Sequence, residues 1–363
     1  MISRMLAAAL AAICLAGATG ASAAPLYTLT VLPTDFRGAQ LNDAGQVAGT
    51  AGDAAALYAG GVVTSVAPSL SQGQGLNNAG DVTGSLNDFY TSEAFTYVGG
   101  ALTNLDPVVA GNTGASFGVA INDHGVVGGN IYAGGEHIQG FILHDGIVEH
   151  IGTFGNDYSP IAAINNSGAA TGYSGYPGPV GNNYAHAFIY QNGTLQDIGT
   201  LDGMDAEIDS GGNDINDLGQ VAGWSGNRPF LYSGGSMLDL GALGAYGGYA
   251  NALNEDAVVV GYSASSLTPG GTGEHGFLWD DGAMVDLNTL LANPGGWEIT
   301  NAQDINEAGQ ILGTACLGGS CASVLLTPVP EPAAGLMLLA GLGALVARGR
   351  RQWRDRFSQA MPA

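Results

Sequence analysis

A chain of 363 residues with 61 glycines and only 11% charged residues is neither a disordered polyelectrolyte nor a helical bundle. It has no lysine, and residues 24–328 hold 29 acids against two bases, Arg37 and Arg228, a net charge of −27. Such a body repels phosphate backbones and anionic lipid headgroups, which argues against nucleic acid as a partner and leaves cations and neutral polymers.

The N-terminus has one positive charge, Arg4, then an apolar run from Met5 to Ala18 and the small-residue stretch Ala21-Ser22-Ala23. This reads as a cleavable signal peptide over 1–23, cut between Ala23 and Ala24. Cutting one residue later would place Pro25 just after the scissile bond. Cys14 leaves with the leader.

From Tyr27 onward the chain is periodic. Leu41-Asn42-Asp43-Ala44-Gly45 opens a motif that recurs at Asn77, Asn122, Asn165, Asn216, Asn254 and Asn306, with spacings of 35, 45, 43, 51, 38 and 52 residues. Gly stands three residues after the Asn in every copy except that of Ala257, and seven residues after it in all of them. Asn-x-x-Gly suits a type I turn followed by a left-handed residue, so each copy predicts a β-hairpin. In six copies a second hairpin follows, with third strands beginning at Ala56, Phe95, Phe141, Phe188, Phe230 and Phe277. Their Gly-Gly, Asp-Gly or Asn-Gly connections suit two-residue type I′ turns.

Two hairpins per repeat make a four-stranded propeller blade. The seventh copy has a third strand, Ser323–Leu326, but no fourth, while a spare strand, Tyr27–Leu32, precedes the first copy. The expected fold is therefore all-β: a seven-bladed β-propeller over 24–328, its last blade closed by the N-terminal strand. A β-solenoid is the alternative.

Cys316 and Cys321 flank a predicted turn and are expected to form a disulfide in an oxidising compartment. His137, His186 and His275 read as one repeated position in three blades, which predicts separate hydrogen-bonding roles rather than one metal centre. Asp205, Glu207 and Asp209 alternate near Gly211 and suggest either Ca²⁺ ligands or a solvated acidic loop. The EF-hand pattern is broken at Ser210 and Asn216. No catalytic residues and no cofactor are identified, since no G-x-S-x-G or H-E-x-x-H element is present.

The longer insertions, 106–118, 174–185, 201–213, 263–274 and 291–302, all belong to connections on one face of the ring. That face is the expected binding surface. Its loops and their edges bring Tyr173, Tyr176, Tyr184, Trp224, Tyr246, Tyr249, Tyr262 and Trp297. Tyr176, Tyr184, Tyr246 and Trp297 are the candidate glycan-stacking aromatics, whereas Tyr173, Trp224 and Tyr262, directly after the repeat Gly, read as blade packing.

The C-terminus ends the periodicity. Val329-Pro330-Glu331-Pro332 precedes an apolar run over 333–347, and Arg348, Arg350 and Arg351 follow it. Fifteen apolar residues suit a short transmembrane helix, and the arginines would hold the tail 352–363 in the cytoplasm.

This segment, 329–351, resembles the PEP-CTERM sorting signal. The resemblance implies transient inner-membrane anchoring and removal of the tail by an exosortase-type membrane protease, in a Gram-negative bacterium that secretes exopolysaccharide. The repeats resemble extracellular HAF repeats in His186-Ala187-Phe188, His275-Gly276-Phe277, Asp197-Ile198-Gly199-Thr200-Leu201 and Asp239-Leu240-Gly241. That likeness implies an extracellular propeller-like fold and carries no catalytic residues. The expected protein is a non-enzymatic component of the cell surface or biofilm matrix that contacts exopolysaccharide or envelope glycans. A polysaccharide hydrolase or lyase, and a Ca²⁺-dependent adhesive module, are the alternatives.

Overall fold

The structure is a computed structural model. It describes residues 26–86, 92–111, 116–132, 137–156, 158–177, 183–204, 207–244, 246–264 and 273–329. The predicted cleavage site at Ala23 and Ala24, Asp205, the tail helix 333–347, Pro330 to Pro332 and Arg348, Arg350 and Arg351 lie outside them. Among the described residues no helix is long and apolar enough to cross a membrane.

Tyr27–Pro328 forms a seven-bladed propeller. Six blades are sequential four-stranded antiparallel meanders, beginning at Phe36, Ser71, Ser116, Ile161, Ser210 and Tyr246, and the short strand Tyr158–Ser159 adds to the third of them in parallel with Ile138–His144. Blade 7 consists of Glu298–Ile305, Ile311–Leu317, Ser320–Pro328 and the N-terminal strand Tyr27–Val31, which pairs with Ser320–Pro328. The first strands of successive blades touch one another all the way round, and blade 7 meets blade 1, so these strands line the axis.

Each repeat signal has a steric cause. Gly45, Gly80, Gly125, Gly168, Gly219 and Gly309 hold the left-handed turn position with φ between +71° and +84°, and Ala257 takes φ +60° in the same slot. The Gly seven residues after the turn Asn faces the third strand: Gly84 pairs with Phe95, Gly129 with Phe141, Gly172 with Phe188, Gly223 with Phe230 and Gly261 with Phe277. All five phenylalanines are fully buried and anchor the cores between blades. A Cβ on that Gly would also run into the first strand's backbone, at 1.9 Å from the Gln72 carbonyl oxygen for Gly84 and 2.1 Å from that of Gly211 for Gly223.

The close approach comes from a bulge that the sequence pattern does not reveal. In every blade the register of first and second strands shifts by one residue, as between Gly73 and Gly75 or Gly212 and Asp214. Bulged strands bend and twist more strongly, which suits the strand nearest the axis.

Side chains stitch neighbouring blades together. The buried Ser71, Ser116 and Ser210 hydroxyls each accept from a backbone N–H on the third strand of the preceding blade, at Ala55, Ala94 and Ala187. Cys316 and Cys321 are disulfide-bonded across the hairpin turn of blade 7.

Two expectations need correction. His137 does not share the position of His186 and His275. It lies four residues before its blade's Phe rather than two, and Gln139 takes the slot, because a blade's register is counted from the buried Phe and not from the nearest histidine. The segment 174–185 is only partly loop. The hairpin of blade 4 extends to Pro177 and resumes at Asn183, pairing Tyr176 with Tyr184. Gly175 lies within the extended hairpin and permits close approach: a Cβ on it would stand only 2.7 Å from the Asn156 Cβ.

Candidate functional site: two faces of the ring

The ring presents two different faces. On the tight-turn face the seven repeat asparagines are buried around the axis. Each Oδ1 accepts the backbone N–H four residues on, which fixes its own turn. The Nδ2 of Asn42, Asn77, Asn122, Asn165, Asn216 and Asn306 donates to the backbone carbonyl of the equivalent Asn in the next blade, at 2.8–3.1 Å. Asn306 closes the circle onto Asn42.

A second circle lies beside the first. The residue after each Asn is always a side-chain acceptor: Asp43, Asn78, Asp123, Asn166, Asp217, Glu255 and Glu307. Each accepts the backbone N–H of its counterpart in the neighbouring blade, from Asp43 onto Asn78 round to Glu307 onto Asp43, at 2.7–3.0 Å. The repeat motif is thus an interlocking device as well as a turn.

The circles surround an axial well of about 160 Å³ that is also lined by Gln40, Asp214 and Asp304. Those three share one repeat position and reach across to the next blade, accepting from the backbone N–H of Leu76, Leu253 and Leu41. Burial pushes the Asp214 carboxyl up to about 6 and that of Asp304 to about 8, against the opposing effect of two backbone N–H donors each. Neighbouring carboxylates add to both rises: Glu255 beside Asp214, and Asp214 and Asp43 near Asp304. Burial raises Glu307 as well.

The opposite, loop-bearing face has a mouth edged by cross-strand pairs. The residue five before the repeat Asn faces the residue after the repeat Gly: Arg37 with Thr50, Gln72 with Ser85, Phe117 with Asn130, Gly211 with Trp224, Tyr249 with Tyr262 and Asn301 with Thr314. In blades 4 to 6 the position after the repeat Gly is aromatic, as Tyr173, Trp224 and Tyr262, and Tyr249 and Tyr158 join them from neighbouring strands. Tyr158 and Tyr173 lie 5.5 Å apart and share a hydroxyl hydrogen bond of 3.0 Å. Tyr173 meets Trp224 edge-on at 6.3 Å, Trp224 lies 5.6 Å from Tyr249, and Tyr249 stacks on Tyr262 at 5.4 Å.

These five rings form one continuous, half-buried arc. Tyr173, Trp224 and Tyr262 pack between and within blades, as their place after the repeat Gly predicts. Their packing partners, however, are other aromatics of the mouth, and every ring remains partly exposed. Burial raises the Tyr173 and Tyr262 hydroxyl pKa values.

The aromatics expected to carry binding lie elsewhere. Tyr176 is 41% exposed and stacked on His186 at 5.2 Å. Tyr184 donates to Glu207, Tyr246 is exposed at the start of its strand, and Trp297 is half-buried in the turn before blade 7. The arc escapes a linear reading because only a register counted from the Asn motif shows that Tyr249 of a first strand and Trp224 of a second strand are neighbours.

The remaining candidate groups are engaged in structural bonds. Glu207 accepts from Tyr184, and Asp209 accepts from the Ala185 N–H. Among the described residues no three His, Cys, Asp or Glu side chains converge as a metal site. His186 is bonded to Asp197 through Nδ1 at 2.9 Å. His275 is held by Asp286 on Nδ1 and by Glu298 of blade 7 on Nε2, at 2.6 and 2.7 Å. Burial lowers the His275 pKa, but the two carboxylates outweigh it and leave the value raised. Arg228 bridges Asp202 and Asp239 at the surface.

With the fold and both faces defined, the chain classes as a closed seven-bladed β-propeller. Residues 328–352 match the model of the PEP-CTERM protein-sorting motif. That motif implies an exported, envelope-associated protein processed by an exosortase. No curated protein matches the chain. Among solved structures, TolB from Acinetobacter baumannii is 13% identical with a TM-score of 0.38, covering 55% of this chain and 51% of its own. A puromycin-hydrolysing peptidase of Mycobacterium tuberculosis is 13% identical with a TM-score of 0.48, covering 84% and 54%. A mutant of AofleA from Arthrobotrys oligospora is 11% identical with a TM-score of 0.39, covering 71% and 88%. The chain thus spans about half the length of the first two, and likenesses this remote carry no argument about activity.

Proposed function

We propose that the protein is a non-enzymatic glycan-binding component of the bacterial envelope or extracellular matrix, and that its loop-bearing face is the binding surface. The observation that carries this reading is the aromatic arc from Tyr158 to Tyr262. Aromatic rings combine a large apolar face with a polar edge, and sugars present the same combination in their C–H faces and hydroxyls. An arc spanning three blades offers several stacking positions in a row, which suits a polymer better than a single small molecule. The absence of charge on the arc fits a neutral stretch of polysaccharide, the ligand class with which an acidic body is compatible.

Export places such a surface among envelope polysaccharides, and the sorting motif supports a stay at the membrane before tail removal. The closed ring of asparagines supports the same reading, since a rigid scaffold keeps a binding face pre-organised.

Trp224 stands at the centre of the arc, between Tyr173 and Tyr249, so its loss separates the arc into two parts. We expect Trp224→Ala to weaken retention on the host's neutral exopolysaccharide about tenfold or more, in line with stacking contributions of roughly 1–3 kcal/mol. Affinity electrophoresis of protein purified from the host envelope tests this, with Leu238→Ala on an outer strand as the control. Equal retention of wild type and Trp224→Ala, or turnover of the polymer by the wild type, would remove the reading.

A further inference from the structure

A second feature of the loop-bearing face lies in blades 1 to 3, on the side of the mouth that the arc does not occupy. A cavity of about 620 Å³ opens there, within the size range of small-ligand sites. Its lining includes Arg37, Asp53, Gln72, Ser85, Phe117 and Tyr132.

Three observations mark it. Arg37 is exposed and, among the described residues, makes no ion pair. The other guanidinium of the body, Arg228, has drawn in two carboxylates. In a body with 29 acids, a cation left without one is an exception, and it sits in a cavity. Asp53 lines the same cavity without coming within ion-pair distance of Arg37.

Ser85 is only 7% exposed, lines the cavity and makes no side-chain hydrogen bond among the described residues. Phe117 and Tyr132 lie 5.5 Å apart at the cavity wall, and Tyr132 is 47% exposed. At the rim, Leu70 is 58% exposed and held at φ +64°. Leu70 is the one-residue connection between the last strand of blade 1, Val62–Ser69, and the first strand of blade 2, Ser71–Leu76.

We infer that this cavity binds a carboxylated sugar, a uronate unit of a polysaccharide, with the Arg37 guanidinium holding the carboxylate. The planar guanidinium matches a carboxylate with two parallel N–H donors. The Phe117–Tyr132 pair offers an apolar wall for the sugar ring, and Ser85 and Gln72 offer partners for its hydroxyls. The acidity of the rest of the molecule does not forbid this. Charges beyond roughly 8 Å are largely screened at physiological ionic strength, so the unpaired Arg37 governs its own surroundings. The inference rests on the reading of this face as a glycan-binding surface and adds a charged subsite to the neutral arc.

Methyl glucuronide and methyl glucoside differ only at C6, a carboxylate against a hydroxymethyl group, and make the test direct. Calorimetric titration of the purified protein should show the glucuronide binding at least tenfold more tightly, with affinity falling as salt is raised. Arg37→Ala should abolish that preference while leaving the melting temperature unchanged, since no ion pair depends on Arg37. Arg37→Lys should keep part of it, and Phe117→Ala should weaken both sugars alike. Equal affinities for the two sugars, or a preference that survives Arg37→Ala, would overturn the inference. If the preference is absent but Trp224→Ala still releases neutral polymer, the uronate subsite is wrong and the glycan surface stands. If the preference is present and depends on Arg37 but envelope polysaccharide is not retained, the subsite stands and the polymer reading fails.

Discussion

The melting temperature of the protein is expected to fall as pH rises from 5 to 8, by on the order of 5–10 °C given typical unfolding entropies. The cause is the axial well. Asp214 is pushed up to about 6 and Asp304 to about 8, and Glu307 is also raised. A carboxyl whose pKa is higher in the folded chain than in the unfolded one holds its proton more tightly when folded. Its stabilising contribution is complete below the unfolded value of about 4 and is lost as pH climbs through the folded value. His275 acts in the same direction. Its raised value makes the protonated clamp between Asp286 and Glu298 stabilising below about 6.5, and that contribution fades as the ring deprotonates.

One raised unit corresponds to about 1.4 kcal/mol, so Asp214 alone accounts for roughly 3 kcal/mol across its range. The opposing ion pairs of Arg228 are about 40% exposed and count for little. Ala120, Ala163 and Ala252 occupy the Asp214 and Asp304 position in other blades, which makes alanine the natural replacement. Calorimetric scans at pH 5, 6, 7 and 8 should slope downward for the wild type and flatten in the Asp214→Ala, Asp304→Ala double variant. A melting temperature that rises over this range would show that the well is not the controlling element.

Substitution of the repeat glycines should divide sharply by location. Gly84→Ala and Gly223→Ala each place a Cβ about 2 Å from a backbone carbonyl, far inside contact distance, and no side-chain rotation relieves it. The bulge of the first strand must shift, and with it the hydrogen bonds that the bulged strand makes along the axis. The expected cost is about 3 kcal/mol or more for each, at the level of severe core overpacking. Gly60→Ala and Gly99→Ala meet nothing within 4 Å and suffer only from left-handed backbone, a cost of roughly 1–2 kcal/mol. Thermal denaturation of the four variants in parallel separates the two classes. A Gly84→Ala protein that melts with the wild type would mean that the bulge yields easily and that the glycine is not required by packing.

The architecture is legible in the sequence because its signals are local and repeated. An Asn with Gly three residues later, then Gly at seven, then a two-residue turn with Gly, fixes two hairpins without knowledge of any distant contact. Closure is legible from the same count, since Ser320–Pro328 lacks a following strand and Tyr27–Val31 precedes the first repeat. What escapes the sequence depends on relations between blades. The amide of Asn77 reads as a turn residue until Asn122 is known to lie beside it. The unbroken run of acceptors after each Asn, from Asp43 to Glu307, is the available signal for the second circle.

The aromatic arc is hidden for a related reason. The insertions hold exposed aromatics, Tyr176, Tyr184, Tyr246 and Trp297, and draw attention to themselves, although a blade's rim is set by strand register. Tyr249 and Trp224 are legible as aromatics at the loop edges, but a linear reading does not show that they are neighbours. Likewise His137 looks equivalent to His186 because both precede a buried Phe. The shift of two residues, which gives the slot to Gln139, emerges once the count starts from the Phe rather than from the histidine.

The sorting of this propeller can be tested by mapping the C-terminal peptide of protein recovered from the host envelope and extracellular matrix by mass spectrometry. A terminus near Val329–Pro332, with residues 333–363 missing, is the predicted result and would identify a processed envelope protein. A peptide ending intact at Ala363 in every fraction would contradict exosortase processing and leave a propeller whose tail is never removed.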